Sequence, residues 1–363
     1  MPTPAIYLEV LPAGYGDCLL VTCPVGNRMW RLLVDTGPDE TFPALKTRLA
    51  QIPADAHGKR HIDLAIISHI DHDHIGGAAQ LFNDRSLGLS FGDIWFNARP
   101  RPVARGVAEG ESLAELLGVQ GVALPWNKAF QGRAAVTGRA GGFVEIPAVS
   151  GEPRITLLSP DAAALNALFK VWDRELARLR AKESDRPGPP VAVSRDIEAP
   201  DLQTLAARVT SVDRAVANRS SIAILLEHQG ASLLLGADAV PAVMVPALQA
   251  LAQHRRMPSP IRLDAVKLSH HGSRANVTNE LFRLVQADHY IVSTNGAIFG
   301  HPDEEAIARV IVHGGRQPRL WFNYDNERSR RWASPALRGL HGYDVMLPES
   351  GQAGVALKLA AKG

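Results

Sequence analysis

The chain has 363 residues, 46% of them hydrophobic, and its 39 Lys plus Arg stand against 37 Asp plus Glu. That composition excludes a disordered chain, and a formal charge of +2 is too near balance to announce a nucleic-acid partner through bulk electrostatics. No apolar run approaches the roughly 18 residues of a membrane span, and the opening MPTPAIYLEVLP lacks the basic head and long apolar segment of a secretory signal, so a soluble cytoplasmic protein with no membrane contact is expected.

Short apolar runs dominate the chain: IYLEVL, CLLVTC, RLLVD and LAIISH come first, then ITLLS, IAILLE, SLLLGAD, AVKLSH, YIVST and LWFN. Unbroken apolar runs of this length predict strands buried on both faces. Cys18 and Cys23 fall in the second run and read as buried free thiols of a reducing compartment. Helical spacing occurs between the runs at about 41–51, 77–83, 110–118, 160–183, 241–253, 278–286 and 303–312, which predicts an α/β layered fold with helices covering strands. Residues 183–202, rich in Pro and charge, predict a surface excursion. Nothing reads as a free linker, so 1–363 is expected to be a single domain with an insertion or lid within 98–215 and C-terminal strands in 311–363.

Four of the runs end in an acid or a histidine, at Asp35, His69, Asp238 and His270. Loops leaving strand ends are where ligands and catalytic groups gather, so these four ends are expected at one rim. Any one of them alone could simply start a turn or cap a helix. The segment SHIDHDHIGG, Ser68 to Gly77, then packs five metal-capable side chains (His69, Asp71, His72, Asp73 and His74) into six positions. Imidazole and carboxylate are ordinary ligands of divalent cations, and Asp71 and Asp73 so close together repel unless a cation neutralises them. Gly76 and Gly77 let the chain turn into a helix at Ala78, near whose start Asp73 and His74 are expected.

The pattern His69-x-Asp71-x-Asp73-His74-x-Gly76 resembles the signature of the metallo-β-lactamase family, His-x-His-x-Asp-His followed by glycine, with Asp71 at the second histidine. In that form it looks like the branch holding the hydrolase domain of the competence protein ComEC. GYGDC at 14–18, LVDTG at 33–37, NRSS at 218–221, GADA at 236–239, SHHGS at 269–273 and GHP at 300–302 agree, so the resemblance spans about residues 5–310. It implies a four-layer αββα sandwich with a dinuclear metal centre. His69 and Asp71 would hold one ion, Asp73, His74 and His270 the other, and Asp238 would bridge them. Asp35 would orient the metal loop by hydrogen bonding.

The remaining residues of these motifs carry further expectations. Asp73, His271 and His301 are the candidates for catalysis, His301 by proton transfer or substrate contact and His271 by substrate contact or support of the ligands. His72 alternates with the ligands and is expected to point away. Where the family has a further histidine this chain has Asn218, which reads as a weak oxygen ligand, a substrate donor or a turn residue. Asn218, Ser220, Ser221 and Ser273 are the candidates for substrate binding. An oxygen-rich first position favours Mn²⁺ or Mg²⁺, with Zn²⁺ open at the second.

Two ions would activate a water for hydrolysis, and hard cations match phosphate oxygens. The expectation is therefore a phosphodiesterase or nuclease acting on nucleic acid or a nucleotide. The alternatives are a hydrolase of a carbon ester, lactone or lactam on the same fold, or a catalytically weak binding module organised by metal. Basic clusters at Arg255-Arg256 and Arg328 to Arg331 suit phosphate contacts or a solvated surface. The excess within 98–215 is a substrate lid or a surface for a partner protein.

Overall fold

A computed structural model describes residues 4–99, 113, 124–184 and 201–362. One sheet is formed by β1 (Pro4–Val10), β2 (Leu19–Val25), β3 (Arg28–Val34), β4 (Arg60–Ile66), β5 (Leu89–Trp95) and β14 (Val355–Ala360), in the order β14-β1-β2-β3-β4-β5. The other takes β6 (Val144–Ile146), β7 (Arg154–Ser159), β8 (Ala223–His228), β9 (Ala231–Leu235), β10 (Ile261–Lys267), β11 (Val285–Val292), β12 (Arg319–Phe322) and β13 (Asp344–Met346), in the order β13-β12-β11-β10-β9-β8-β7-β6. Strands β3 to β5 are mutually parallel, as are β9 to β13.

Alternation along the strands divides the core into layers. Leu19, Val21, Leu32 and Leu64 of the first sheet share one buried cluster with Leu157, Ile224, Leu233 and Ala265 of the second, so the sheets pack face to face. The intervening residues Leu20, Leu33 and Ala65 face outward onto helices Phe42–Ala50 and Ala78–Asn83 and onto Leu165, Leu168 and Trp172 of helix Ala162–Ser184. Leu225, Leu234, Val266 and Tyr290 do the same for helices Pro241–Arg255, Asn279–Leu284 and Glu304–His313. Both faces of each sheet are thus covered, which is why the strands read as unbroken apolar runs. Each leucine so buried contributes roughly 1.5–3 kcal/mol.

The structure departs from the sequence reading at short elements. Helices His72–Ile75, Leu202–Ala207, Val216–Arg219, Glu327–Trp332 and Pro335–His341 have only 4 to 7 residues, too few to show a 3.6-residue period. Asp73 and His74 sit in a turn of their own, separated by Gly76 and Gly77 from the helix that starts at Ala78. The 278–286 stretch stops being helical at Leu284, because Val285 pairs with Ile261 and opens β11. Residues 311–363 hold two helices besides their strands, and β14 returns to pair with β1. Apart from Leu113, the expected helix at 110–118 lies outside the described residues, as does most of 183–202. Among the described residues no helix is long and apolar enough to cross a membrane. Both cysteines are buried and free.

Candidate metal centre

Strands β3 and β4 run parallel in one sheet and β9, β10 and β11 in the other, so each set delivers its C-terminal loops to one edge. The two edges meet: Ile222 N donates to Ser68 O at 2.9 Å, and Lys267, at the end of β10, pairs with Asp17, just before β2. Asp35 organises the metal loop. Its Oδ1 accepts from Ser68 N at 2.7 Å, and its Oδ2 accepts from Ser68 Oγ at 2.8 Å and lies 2.8 Å from His74 Nδ1. Thr36 N and Oγ1 both donate to His74 O, at 2.9 and 3.0 Å. Asp17 N donates to Asp73 O at 3.0 Å, and a side chain on Gly16 would overlap that same carbonyl.

Asp73, His74, Asp238 and His271 bring one ligand atom each to within 4.8 Å of one another, and all four residues are buried. His74 Nε2 is 3.3 Å from Asp238 Oδ1 and 3.7 Å from Asp73 Oδ2, while His271 Nε2 is 3.1 Å from Asp73 Oδ2 and 3.8 Å from Asp238 Oδ1. The other oxygen of Asp238 faces a second group. Oδ2 lies 4.0 Å from His69 Nε2 and 3.7 Å from His270 Nε2, and His69 Nε2 is 4.0 Å from Asp71 Oδ2.

The backbone is bent to make this arrangement. Asp35, Ala237, His270 and His271 all have positive φ, at 59°, 43°, 52° and 55°, a conformation that costs non-glycine residues energy and clusters at functional sites. Two left-handed residues in succession turn the adjacent imidazoles to different sides, their rings 71° apart. The structure groups His271, rather than the expected His270, with Asp73 and His74, while His270 faces the oxygen of Asp238 shared with His69.

The outer partners fix which nitrogen each ring presents. His74 Nδ1 is held by Asp35, and His271 Nδ1 donates to Ser293 O at 2.7 Å, so both rings turn Nε2 toward the cluster. His270 Nδ1 lies 3.1 Å from Asn276 Oδ1 and 3.3 Å from Asp213 Oδ2. Asp213, Asn276, Lys267 and Ser293 carry no functional signal in the sequence, and Asp17 only that of a motif. None stands in a dense motif of titratable residues, and chain spacing gives no sign of their meeting.

Charges in the cluster support one another. Burial alone would raise the pKa of Asp238, but His74, His270 and His271 hold it well below the usual carboxylate value. Burial likewise opposes ionisation of Asp73, yet His74 and His271 bring it to about 2. His271 is pushed down by burial and up by Asp17 and Asp238, which win and place it at about 9. His69, which burial and His74 both disfavour as a cation, falls to about 4.

These residues fit a metal ion. His69 Nε2, His74 Nε2 and Asp238 Oδ1 are buried without a hydrogen bond, in a donor set of imidazole and carboxylate that divalent cations bind.

The other expected site residues are placed as follows. His72 points toward exposed Asp39 and Glu40, 3.3 and 3.7 Å from their carboxylates. Asn218 donates through Nδ2 to Asp213 Oδ2 at 2.7 Å and keeps Oδ1 buried without a hydrogen bond. Ser220 and Ser273 are buried and close their own turns, Ser220 Oγ donating to Ala217 O and Ser273 Oγ accepting from Ala275 N. Ser221 is fully buried. Ser221 Oγ has no hydrogen-bond partner. His301 stands beside His270 with ring centroids 5.2 Å apart, its Nδ1 3.5 Å from Asp303 Oδ2.

The family model of the metallo-beta-lactamase superfamily matches residues 12–88, the stretch holding the Asp17, Asp35 and His69–His74 loops. Solved structures similar to this chain include the metallo-beta-lactamase fold protein YhfI from Bacillus subtilis, 12% identical over 98% of this chain and 99% of its own, with a TM-score of 0.43. Zn²⁺-bound PqqB from Methylobacterium extorquens is 14% identical over 97% and 100%, with a TM-score of 0.45. A diphosphatase of the PhnP family is 11% identical over 98% and 100%, with a TM-score of 0.40. No curated protein matches. The architecture is the αββα sandwich of the metallo-β-lactamase fold, and its rim carries a His/Asp cluster able to bind metal ions.

Proposed function

We propose that this chain is a metal-dependent hydrolase that cleaves phosphodiesters, with nucleic acid or a nucleotide as its substrate class. The observation that carries the reading is Asp238, whose two oxygens face two different ligand groups. His69, Asp71, His270 and Asp238 would hold one divalent ion, and Asp73, His74, His271 and Asp238 a second. Bound ions would supply a water acidic enough to ionise near neutral pH and positive charge toward the oxygens of the group attacked.

The chain's own residues do the rest. Asp35 and Ser293 fix the tautomers of His74 and His271, so the donor atoms are oriented before substrate arrives. Burial lowers the pKa of His301, despite an opposing pull from Asp303, so its imidazole is neutral near pH 7. At the edge of the cluster it can take a proton from a water held there. Asp71 in place of the motif's second histidine moves the set toward harder ions such as Mn²⁺ or Mg²⁺, and hard ions suit phosphate oxygens; this favours the phosphodiester reading and the ComEC-like branch.

Metal content by mass spectrometry, on protein purified without added metal, and turnover of a phosphodiester, a lactone and a lactam test the reading together. Two ions per chain and turnover of the phosphodiester alone are expected. Turnover of the lactone or lactam in its place overturns the substrate class, and a single ion per chain overturns the bridging role of Asp238.

A further inference from the structure

Beside the ligand groups stands an aromatic wall that no role above uses. Tyr15 and Phe299 meet edge to face, ring centroids 5.9 Å apart and planes at 73°. Phe299 leads on to His301, 6.3 Å away and tilted by 31°, and His301 to His270 at 5.2 Å. Phe299 is 45% exposed, so part of its ring forgoes the free energy that burial would recover.

The loop that carries it is braced. Asn295 N donates to Gly14 O at 2.8 Å, Gly14 N to the Tyr324 hydroxyl at 2.7 Å, and Asn326 Nδ2 to Asn295 O at 3.0 Å. Arg328 Nη1 donates to Gly300 O at 2.7 Å. Gly296, at φ +72°, packs so closely that a Cβ would come within 2.7 Å of His301 O and 2.8 Å of Arg328 Cδ. Within the basic run, Arg330 pairs with Asp325 and Arg331 with Glu304, whereas Arg328 has no carboxylate partner among the described residues.

We propose that Tyr15, Phe299 and Arg328 form a subsite for the base and phosphate of a nucleotide, the base stacking on Phe299 and the guanidinium holding a phosphate oxygen. An aromatic face accepts any base, and a guanidinium without a carboxylate partner is matched to phosphate. A held, half-wet ring next to an uncompensated cation suits a ligand that is itself flat and anionic. This inference rests on the phosphodiester reading and assigns the residues that would hold the base and phosphate within it.

Calorimetric binding of adenosine 5′-monophosphate and of ribose 5-phosphate, which share sugar and phosphate and differ in the base, is the test. The nucleotide should bind the metal-loaded protein about tenfold more tightly, the scale of one base–aromatic stack. Phe299→Ala should erase that gap and leave ribose 5-phosphate binding unchanged, Phe299→Trp should keep the gap, and Arg328→Met should weaken both ligands alike. Equal binding of the two ligands, or a gap that survives Phe299→Ala, overturns the subsite. Turnover of bis(p-nitrophenyl) phosphate by the same preparation separates the two ideas. Cleavage without base-dependent binding removes the subsite alone, and base-dependent binding without cleavage supports the subsite while removing the phosphodiester reading. Absence of both removes the reading and the subsite with it.

Discussion

At the scale of single residues the centre turns on Asp238, whose carboxylate neutralises charge on both sides at once. Asp238→Ala should lose both ions and leave a folded protein, because two cations without the shared carboxylate repel across a buried site; retention of two ions in metal analysis would exclude the bridge. His301→Ala should lower turnover by about 10²-fold with metal content unchanged, the effect expected when a positioned acid or base is removed. An unaltered rate would confine His301 to holding Asp303. Asp71 is the departure from the family motif. Reconstituted from the metal-free state, the wild type should work with Mn²⁺ or Mg²⁺ at least as well as with Zn²⁺, and Asp71→His should shift activity per bound metal toward Zn²⁺, since imidazole suits zinc. If the wild type works only with Zn²⁺ and the variant's metal profile is the same, the oxygen-rich argument for phosphodiesters falls.

At the scale of elements, the tight turns before β2 and after β4 lean on each other through backbone. Gly16 lies against the carbonyl of Asp73, so Gly16→Ala must separate the two loops. Gly26, in the turn between β2 and β3, has φ +56° and nothing within 4 Å of an added Cβ. Gly26→Ala should cost only the left-handed penalty of about 1–2 kcal/mol. Gly16→Ala should cost about 3 kcal/mol, the upper end of overpacking, and should also weaken metal binding. Denaturant unfolding of the two variants, with metal titration of each, reads the contrast; equal stability losses and intact metal binding in both would show that the loops yield freely.

At the scale of the whole molecule, Asp17 and Lys267 join the two sheets through a buried ion pair beside the His/Asp cluster. Burial would raise the pKa of Asp17, but Lys267 and His271 hold it far below the ordinary value, so Asp17 is ionised. Removing one partner strands the other in the interior. Lys267→Met should cost about 3–5 kcal/mol, and the double variant with Asp17→Asn should cost less than that single change. A double variant as unstable as the sum of its singles, in unfolding measurements, would show that the two side chains act independently.

The sequence by itself determined the layers and the metal loop. Apolar runs such as RLLVD and SLLLGAD could only be strands covered on both faces, and five metal-capable residues in six positions are a local fact of the chain. Asp238 stood out because its run ends in an acid. What needed tertiary structure was which of His270 and His271 faces which carboxylate oxygen, a choice made by two left-handed residues whose backbone no periodicity reveals. The partners of Ser220 and Ser273 were equally hidden, since a hydroxyl's partner depends on local folding rather than on residue type. Asp17 and Lys267 lie 250 positions apart and meet only because the two sheets close over one another. Their pairing, like the wall of Tyr15 and Phe299, is a property of sheet packing, which brings together residues that are chemically unremarkable where they stand in the chain.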